Sequence, residues 1–168
     1  MERILTLDER NYSDEWPVYE RTGVRAVIRR GDKVMMQQNK KGLYKLPGGG
    51  VQKGEEYEDT LRREVEEETG LLVKPDSVIS LGEILEMRED IFSNGLKFVQ
   101  HSYYYICEVE EKEGHIHMTD SEIEAGFHPV WATIDEIIEN NHKVMTAMWE
   151  DRDTEFLKWF REQKQYWN

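Results

Sequence analysis

The chain has 168 residues, with 35 Asp and Glu against 22 Lys and Arg, so its formal net charge at pH 7 is −13. This excess of acid argues against nucleic acid or an anionic membrane surface as a partner, because both are negatively charged. No apolar stretch approaches the roughly 20 residues of a membrane span, and a lone cysteine cannot form an internal disulfide, so we expect one cytoplasmic domain over residues 1–168.

Candidate strands and turns occupy the first part of the chain. Residues 3–8 predict a strand, and residues 12–20 predict an extended polar connection. Residues 24–28 and 33–38 lie on either side of an Arg-Gly-Asp sequence at 30–32, a pattern typical of a β-hairpin.

A glycine-rich turn separates these strands from a predicted helix. Residues 48–50 are all glycine, so the backbone there can adopt φ > 0 and approach a ligand closely. The helix should begin after Gly54, from about Glu56, where acidic residues in the first turn complement the helix dipole. Gly70 stands before an apolar segment and is a typical C-terminal helix stop.

Three glutamates share one face of this helix. At about 100° per residue, Glu64, Glu67 and Glu68 fall within an arc of roughly 100°. Val65 lies at the edge of that arc and faces a core, whereas Glu66 points the opposite way and is expected to be a solvated charge. Like charges four residues apart cost about 0.2–0.5 kcal/mol in an isolated helix, so a cation should neutralise them. All-oxygen clusters of this kind suit Mg²⁺ or Mn²⁺.

Strands and helices follow the glutamate helix. Residues 71–73, 78–87 and 97–110 predict strands, with an Asn-Gly turn at 94–95 before the last of them. Residues 133–140 predict a short helix that begins with a capping box formed by Thr133 and Glu136. Apolar residues then recur at helical spacing and are interpreted as core or dimer contacts: Met145, Met148, Trp149, Phe156, Trp159 and Phe160. The order of elements predicts an α/β fold with a mixed sheet between helices.

The glycine turn and the helix together match one long motif. Its positions read G-x5-E-x7-R-E-U-x-E-E-x-G-U, where U is aliphatic, and this is the complete Nudix box. The chain therefore resembles the Nudix hydrolases, which implies an α/β/α sandwich. A solvated acidic face would need neither the arginine nor the glycines at their fixed spacings. The matching residues are Gly49, Glu55, Arg63, Glu64, Val65, Glu67, Glu68, Gly70 and Leu71.

The resemblance implies a metal site and a reaction. Glu64, Glu67 and Glu68 match the ligands of a divalent ion, Mg²⁺ or Mn²⁺, with the Gly49 carbonyl region completing the shell. Glu55 matches a glutamate that contributes to metal binding directly or through water. Arg63 matches the arginine that holds a neighbouring glutamate. The implied reaction is attack of water on a phosphorus of a nucleoside diphosphate linked to another group.

Several roles stay open from the sequence. The general base is either Glu64 in the box or, in a later polar segment, Glu122 or Glu124. Substrate contacts are expected from residues just before and within the glycine turn, and the expected substrate is a nucleotide or nucleotide sugar. The candidates are Arg25, Tyr44, Lys45 and Gly50.

Two alternative functions and one additional metal site fit the sequence less well than the hydrolase interpretation. A Nudix module that senses nucleotides without hydrolysis usually lacks one or more box glutamates, and all are present here. A prenyl-diphosphate isomerase relies on a catalytic cysteine and a degraded box, whereas Cys107 lies in an apolar strand and is expected to be buried. His115 and His117 could bind zinc, but no third ligand is evident nearby, so this segment is interpreted as a hairpin.

Overall fold

A computed structural model describes residues 1–147 and 150–167. Within these residues the chain forms strands, four α-helices and a final 3-10 turn. The strands are β1 (Arg3–Asp8), β2 (Val18–Arg30), β3 (Lys33–Gln38), β4 (Tyr44–Lys45), β5 (Gly48–Gly50), β6 (Leu71–Val73), β7 (Ile79–Glu89), β8 (Lys97–Cys107), β9 (Val109–Glu113) and β10 (His128–Thr133). The helices are α1 (Tyr57–Thr69), α2 (Asp120–Ala125), α3 (Ile134–Val144), α4 (Arg152–Arg161) and the 3-10 turn Lys164–Tyr166.

A mixed sheet forms the centre of the molecule. Its strands run in the order β1-β7-β8-β2-β3-β10, with β4 paired to β3 and β5 paired to β2. The pairs β1–β7 and β2–β8 are parallel, and the other pairs of this sheet are antiparallel. A separate two-stranded sheet joins β6 to β9. This pairing places β5, and with it the glycine turn, directly against the central strand β2.

The two faces of the sheet bury two different apolar clusters. Alternate residues of β2 point to opposite faces, so Val24 and Ala26 pack beneath α1, whereas Val27 packs beneath α3 and α4. Leu61 and Val65 complete the α1 side, and both are fully buried. The opposite side is dominated by fully buried aromatic and aliphatic residues of strands and α4: Tyr104, Phe156, Leu157 and Phe160. The result is a sheet between two helical layers, as predicted.

Most predicted helices and strands are confirmed, although several begin or end at other residues than expected. The box helix ends at Gly70, which adopts the left-handed conformation with φ 74°. The capping box of Thr133 and Glu136 is present, and α3 extends to Val144. The segment predicted as an extended connection is partly wrong, because β2 already begins at Val18.

Three details differ from the sequence analysis. The strand predicted over 97–110 is interrupted at Glu108, where the chain leaves the central sheet to pair with β6. The predicted hairpin at His115 and His117 is wrong, because this segment is irregular and its backbone N–H groups contact α1. Glu66 is half-buried at that contact, and not a freely solvated charge.

The C-terminal apolar stripe is only partly described. Phe156 and Phe160 are core residues of α4, as expected. Met148 and Trp149 lie outside the described residues. Over residues 1–147 and 150–167, no helix has both the length and the apolar character needed to cross a membrane.

Candidate active site

The glycine turn brings the backbone of β5 against the glutamate face of α1. Gly48 has φ 150°, and a Cβ there would collide with the carbonyl group of Val24 on β2. A Cβ on Gly49 would overlap the carboxylate of Glu64. The missing side chain of Gly48 therefore lets the turn lie against β2, and that of Gly49 lets it lie against the Glu64 carboxylate of α1.

Arg63 holds three of the box glutamates. Its Nε and Nη2 donate to Glu55 at 2.8 and 3.1 Å, a two-pronged pair of charge-assisted hydrogen bonds. Its Nη1 donates to Glu64 at 3.0 Å and to Glu67 at 3.2 Å. Arg63 therefore positions three glutamates, whereas its match to the box arginine implied that it would position one neighbouring glutamate.

Glu55 is committed to hydrogen bonds at the entrance of α1. Besides Arg63, its Oε2 accepts from the Thr60 hydroxyl at 2.6 Å and from the Gln52 N–H at 3.1 Å. The hydrogen bonds from Arg63, Thr60 and Gln52 lower the pKa of Glu55 to about 2. In this arrangement the carboxylate anchors Arg63 and the start of the helix, and a contribution of Glu55 to metal binding stays a prediction.

Burial disfavours negative charge on Glu68 and Glu64. Glu68 is 3% exposed, and burial raises the pKa of its carboxyl to about 7 although Lys45 lies 3.9 Å away. Its Oε2 accepts the Gly48 N–H at 3.1 Å. Burial likewise raises the pKa of Glu64, against the opposing influence of Arg63. For both carboxyls the effect of burial therefore exceeds that of the nearby cations.

These residues fit a hard divalent cation. The donors available are carboxylate oxygens of Glu64, Glu67 and Glu68 beside the backbone of Gly49, the all-oxygen chemistry that Mg²⁺ and Mn²⁺ prefer. In the part of the chain that the structure describes, no three acidic, imidazole or thiolate side chains already converge as a metal-binding group. Arg63 instead draws Glu64 and Glu67 towards itself.

The two loop candidates for the general base occupy different positions. Glu122 is the third residue of α2 and forms the capping box of this helix with Thr119. Its Oε1 accepts from the Thr119 hydroxyl at 2.6 Å. Burial opposes ionisation of Glu122, but the hydrogen bonds from Thr119, with Lys45 and Glu68 nearby, lower its pKa. Glu124 is exposed and lines the outer part of the cleft described below. Only Glu122 is therefore close to the box glutamates.

The expected substrate contacts surround the same turn. Lys45 Nζ lies 4.3 Å from the centre of the Phe127 ring, and Arg25 is buried on β2, where its Nη1 donates to the Leu46 carbonyl at 3.5 Å. Gly50 lies under the guanidinium of Arg21, so a Cβ there would sit 3.0 Å from Arg21 Nη2.

Tyr44 is held by its backbone. Asn141 of α3 accepts from the Tyr44 N–H at 2.9 Å and donates to the Tyr44 carbonyl at 3.0 Å. A further bond from Asn141 to Thr154 of α4, at 3.0 Å, ties both helices to this strand. The position of β4, and of Lys45 within it, therefore depends on the helical layer.

A cleft of about 1130 Å³ extends from this turn across the face of the sheet that α3 and α4 leave uncovered. Three of its arginines were missed by the sequence analysis: Arg21, Arg88 and Arg152. Even spacing was the available indication, because residues two or four apart on a strand share a face. Arg21 and Arg25 are four residues apart on β2, and Glu86 and Arg88 are two apart on β7.

A family model places this site among known proteins. The model of the NUDIX domain matches residues 20–160, which include α1 and the arginine cleft. The chain belongs to the NUDIX domain family. The predicted resemblance is confirmed, and the residues described above are the Nudix box as it is built in this fold.

Two curated relatives share part of this Nudix sequence. Nudix hydrolase 6 of Arabidopsis thaliana is 36% identical over 101 residues, which cover 58% of this chain and 30% of that protein. ADP-ribose pyrophosphatase of Methanocaldococcus jannaschii is 37% identical over 62 residues, which cover 34% of this chain and 37% of that protein. The matched segments span only about a third of each relative's length.

Solved structures with the same fold extend over more of the chain. A NUDIX hydrolase from Nitrosomonas europaea superposes with a TM-score of 0.55 at 22% identity, covering 80% of this chain and 88% of that one. A MutT NUDIX hydrolase from Burkholderia pseudomallei gives a TM-score of 0.51 at 25% identity, covering 70% of this chain and 85% of that one. These likenesses confirm the predicted α/β/α architecture.

Proposed function

We propose that the chain is a Mg²⁺- or Mn²⁺-dependent hydrolase that cleaves the diphosphate bond of a nucleoside diphosphate linked to another group. One observation carries this proposal: Glu64 and Glu68 of the box helix lie against the glycine turn, and Lys45, whose Nζ is 3.9 Å from Glu68, joins them to a basic cleft. Carboxylates can hold the ion, and the cleft offers cations for the phosphates. The name of the Methanocaldococcus jannaschii relative makes ADP-ribose the first substrate to test.

In this proposal different residues bind the metal ion, orient its ligands and contact the phosphates. A bound divalent ion would neutralise the diphosphate and lower the pKa of the attacking water. Glu64, Glu67 and Glu68 would hold that ion, and Arg63 orients the first two through its Nη1. Lys45 points into the cleft beside Glu68, where its ammonium can pair with a phosphate oxygen.

Glu122 is the loop residue that we assign as a candidate base. Its carboxyl lies beside Lys45 and Glu68, whereas Glu124 is an exposed residue at the lining of the cleft. Glu122→Gln should lower kcat by a hundredfold or more, within the range of general-base contributions of about 10² to 10⁴, and Glu124→Gln should not. Because Glu122 also caps α2, Thr119→Ala serves as the control that weakens the cap alone. If Glu122→Gln and Thr119→Ala lower kcat equally, Glu64 is the better candidate.

The environment of Cys107 disfavours the isomerase alternative. Its thiol is 4% exposed within the apolar cluster beneath α1, and burial raises its pKa to about 12. A thiol held neutral in this way is a poor nucleophile.

A substrate panel separates hydrolysis from sensing. The protein is incubated with Mg²⁺ or Mn²⁺ and ADP-ribose, NADH, nucleoside triphosphates, dinucleoside polyphosphates or sugar nucleotides, and released nucleoside monophosphate or phosphate is measured. We expect turnover of at least one compound and its loss in EDTA. Tight binding of one compound with turnover of none would establish the sensing alternative instead.

A matched pair of variants on α1 tests the glutamate face. Glu67→Gln should reduce kcat by about a thousandfold, because metal-assisted charge stabilisation is worth several kcal/mol in a transition state. Glu58→Gln makes the same chemical change on the same helix, where Glu58 pairs only with Arg62 at 3.5 Å, and should retain activity. Equal activities of the two variants would remove the assignment of Glu67.

A further inference from the structure

Four arginines from three elements meet on the floor of the cleft. Arg21 and Arg25 come from β2, Arg88 from β7 and Arg152 from α4, and all of them line the same space. In a chain with a net charge of −13, such a concentration of positive charge needs a local explanation. Either the arginines are neutralised by the protein or they face a ligand of opposite charge.

Two of the four are neutralised within the protein. Glu86 is 3% exposed and accepts from Arg88 Nε at 2.9 Å and from Arg152 Nη1 at 3.3 Å. Arg152 also approaches Asp153 at 3.6 Å. These pairs form a buried ion network that joins β7 to α4, so Arg88 and Arg152 have a structural role without any ligand.

The other two form no direct ion pair with a carboxylate in the described part of the chain, although Glu64, Glu68 and Asp153 are near enough to Arg25 for its charge to lower their pKa values. Among residues 1–147 and 150–167, neither Arg21 nor Arg25 has a salt-bridge partner. Arg25 is 7% exposed, and its buried Nε has no hydrogen-bond partner in the described part of the chain. Arg21 reaches solvent through the cleft. The surrounding protein and the nearby Arg25 and Arg152 lower the pKa of its guanidinium. Like charges that face each other in this way favour an anion between them.

We propose that Arg21 and Arg25 bind a phosphate group of the substrate other than the scissile diphosphate, and this proposal rests on the function proposed above. A guanidinium matches a phosphate through two parallel hydrogen bonds, whereas an uncharged base or sugar would leave both charges uncompensated. Gly23 lies between the two arginines on the same face of β2, where a Cβ would lie 3.3 Å from the Gly49 carbonyl oxygen and 3.5 Å from Gln100 Nε2, so the missing side chain leaves the two guanidinium groups as the charged groups of this strip.

Matched substrates that differ by one phosphate test the proposal. Values of kcat/KM are compared for NADPH against NADH and for coenzyme A against dephospho-coenzyme A, with Mg²⁺. We expect at least one pair to favour the member with the additional phosphate by about tenfold or more, the usual effect of a charge-assisted pair. Arg21→Gln should bring that ratio close to one. Arg10→Gln, which removes an arginine far out in solvent at 87% side-chain exposure, should leave the ratio intact.

A binding measurement in EDTA separates this proposal from the proposed reaction. Adenosine 2′,5′-bisphosphate should bind at least about tenfold more tightly than 5′-AMP by calorimetry, since the arginines need no metal. Arg21→Gln should abolish the difference. If no substrate is hydrolysed but this difference is present, the proposed reaction fails and the phosphate site stands.

Two results would overturn the phosphate site. One is turnover of substrates with equal kcat/KM within every pair and no preference for the bisphosphate in EDTA. The other is a preference that Arg21→Gln leaves unchanged. In the first case Arg21 and Arg25 contact only the diphosphate, and the proposed reaction is unaffected.

Discussion

The two sides of the glycine turn handle buried charge in opposite ways. On the α1 side several carboxylates surround one arginine, Arg63, which bonds to Glu55, Glu64 and Glu67. On the cleft side two arginines, Arg88 and Arg152, share one carboxylate, that of Glu86. Charged groups of one sign therefore outnumber their direct partners of the other sign on each side.

The difference shows how a single substrate could satisfy both regions. An acidic face attracts a cation, and a basic floor attracts an anion, so a metal-bound phosphorylated compound would complete both at once. The central charge on each side, Arg63 or Glu86, holds the like charges around it in place. Substitutions at these positions should therefore affect more than one neighbour.

The largest effect on stability is expected on the cleft side. Glu86→Gln leaves Arg88 and Arg152 without their shared carboxylate, and breaking a buried pair in this way costs about 3–5 kcal/mol. The free energy of unfolding, measured with urea, should fall by that amount. Glu108→Gln is the control, because the pair of Glu108 with Lys74 lies in solvent with 73% of the Glu108 side chain exposed. A loss below about 1 kcal/mol in Glu86→Gln would show that the network is not a stabilising centre.

Gly48 lies between the acidic side and the cleft side, and its substitution should have the second-largest effect on stability. Its N–H donates to Glu68 on the acidic side, and a Cβ on it would collide with Val24 of β2, the strand that carries Arg21 and Arg25. Gly48→Ala combines a positive φ with a backbone collision and should cost about 3 kcal/mol or more. Gly54→Ala also has a positive φ, of 86°, but meets no atom within 4 Å, so it should cost only about 1 kcal/mol. Equal thermal shifts of the two variants would contradict the role of the collision.

Arg63→Lys tests the acidic side with charge preserved. One ammonium cannot reproduce four hydrogen bonds to three carboxylates. We expect kcat on the best substrate of the panel to fall about a hundredfold, the cost of a displacement of catalytic groups by about 1 Å. Arg62→Lys, next to it on α1 but paired only with Glu58, should change kcat little. Similar kcat values for both variants would argue that Arg63 supplies charge alone.

The smallest effect should be a change of stability with pH outside both regions. His101 on β8 contacts Glu83 of β7 at 2.5 Å and Glu20 of β2 at 2.7 Å, and Arg3 of β1 contacts Glu83 at 3.5 Å. Burial alone would lower the pKa of His101, but the hydrogen bonds to Glu83 and Glu20 outweigh it and raise the pKa.

The raised pKa of His101 determines how stability changes with pH. Because the folded pKa lies above the unfolded value of about 6.5, the stabilisation is complete below that value and is lost as pH rises through the folded pKa. His101→Gln should therefore destabilise the protein more at pH 6 than at pH 9, by about 1 kcal/mol or less. His128→Gln, at an exposed position, is the control. A difference between variant and wild type that is constant with pH would refute the charged pair.

Local patterns in the sequence predicted much of the acidic side and little of the basic one. The box residues lie within 23 consecutive positions, and helical periodicity alone places Glu64, Glu67 and Glu68 on one face. Arg21, Glu86 and Arg152 lie far apart along the chain, and the pairing of both β2 and β7 with β8, together with the return of α4, brings them together. Such pairings depend on tertiary packing, which periodicity does not encode.

Asn141 gives the edge of the sheet a partner that is not a strand. Its side-chain amide bonds to both the N–H and the carbonyl of Tyr44, as a peptide group of a neighbouring strand would. An open edge with free backbone groups can recruit another chain and lead to aggregation. By filling these bonds from α3, the protein protects this edge of β4 with one side chain, and the protection lasts only while the helix remains docked.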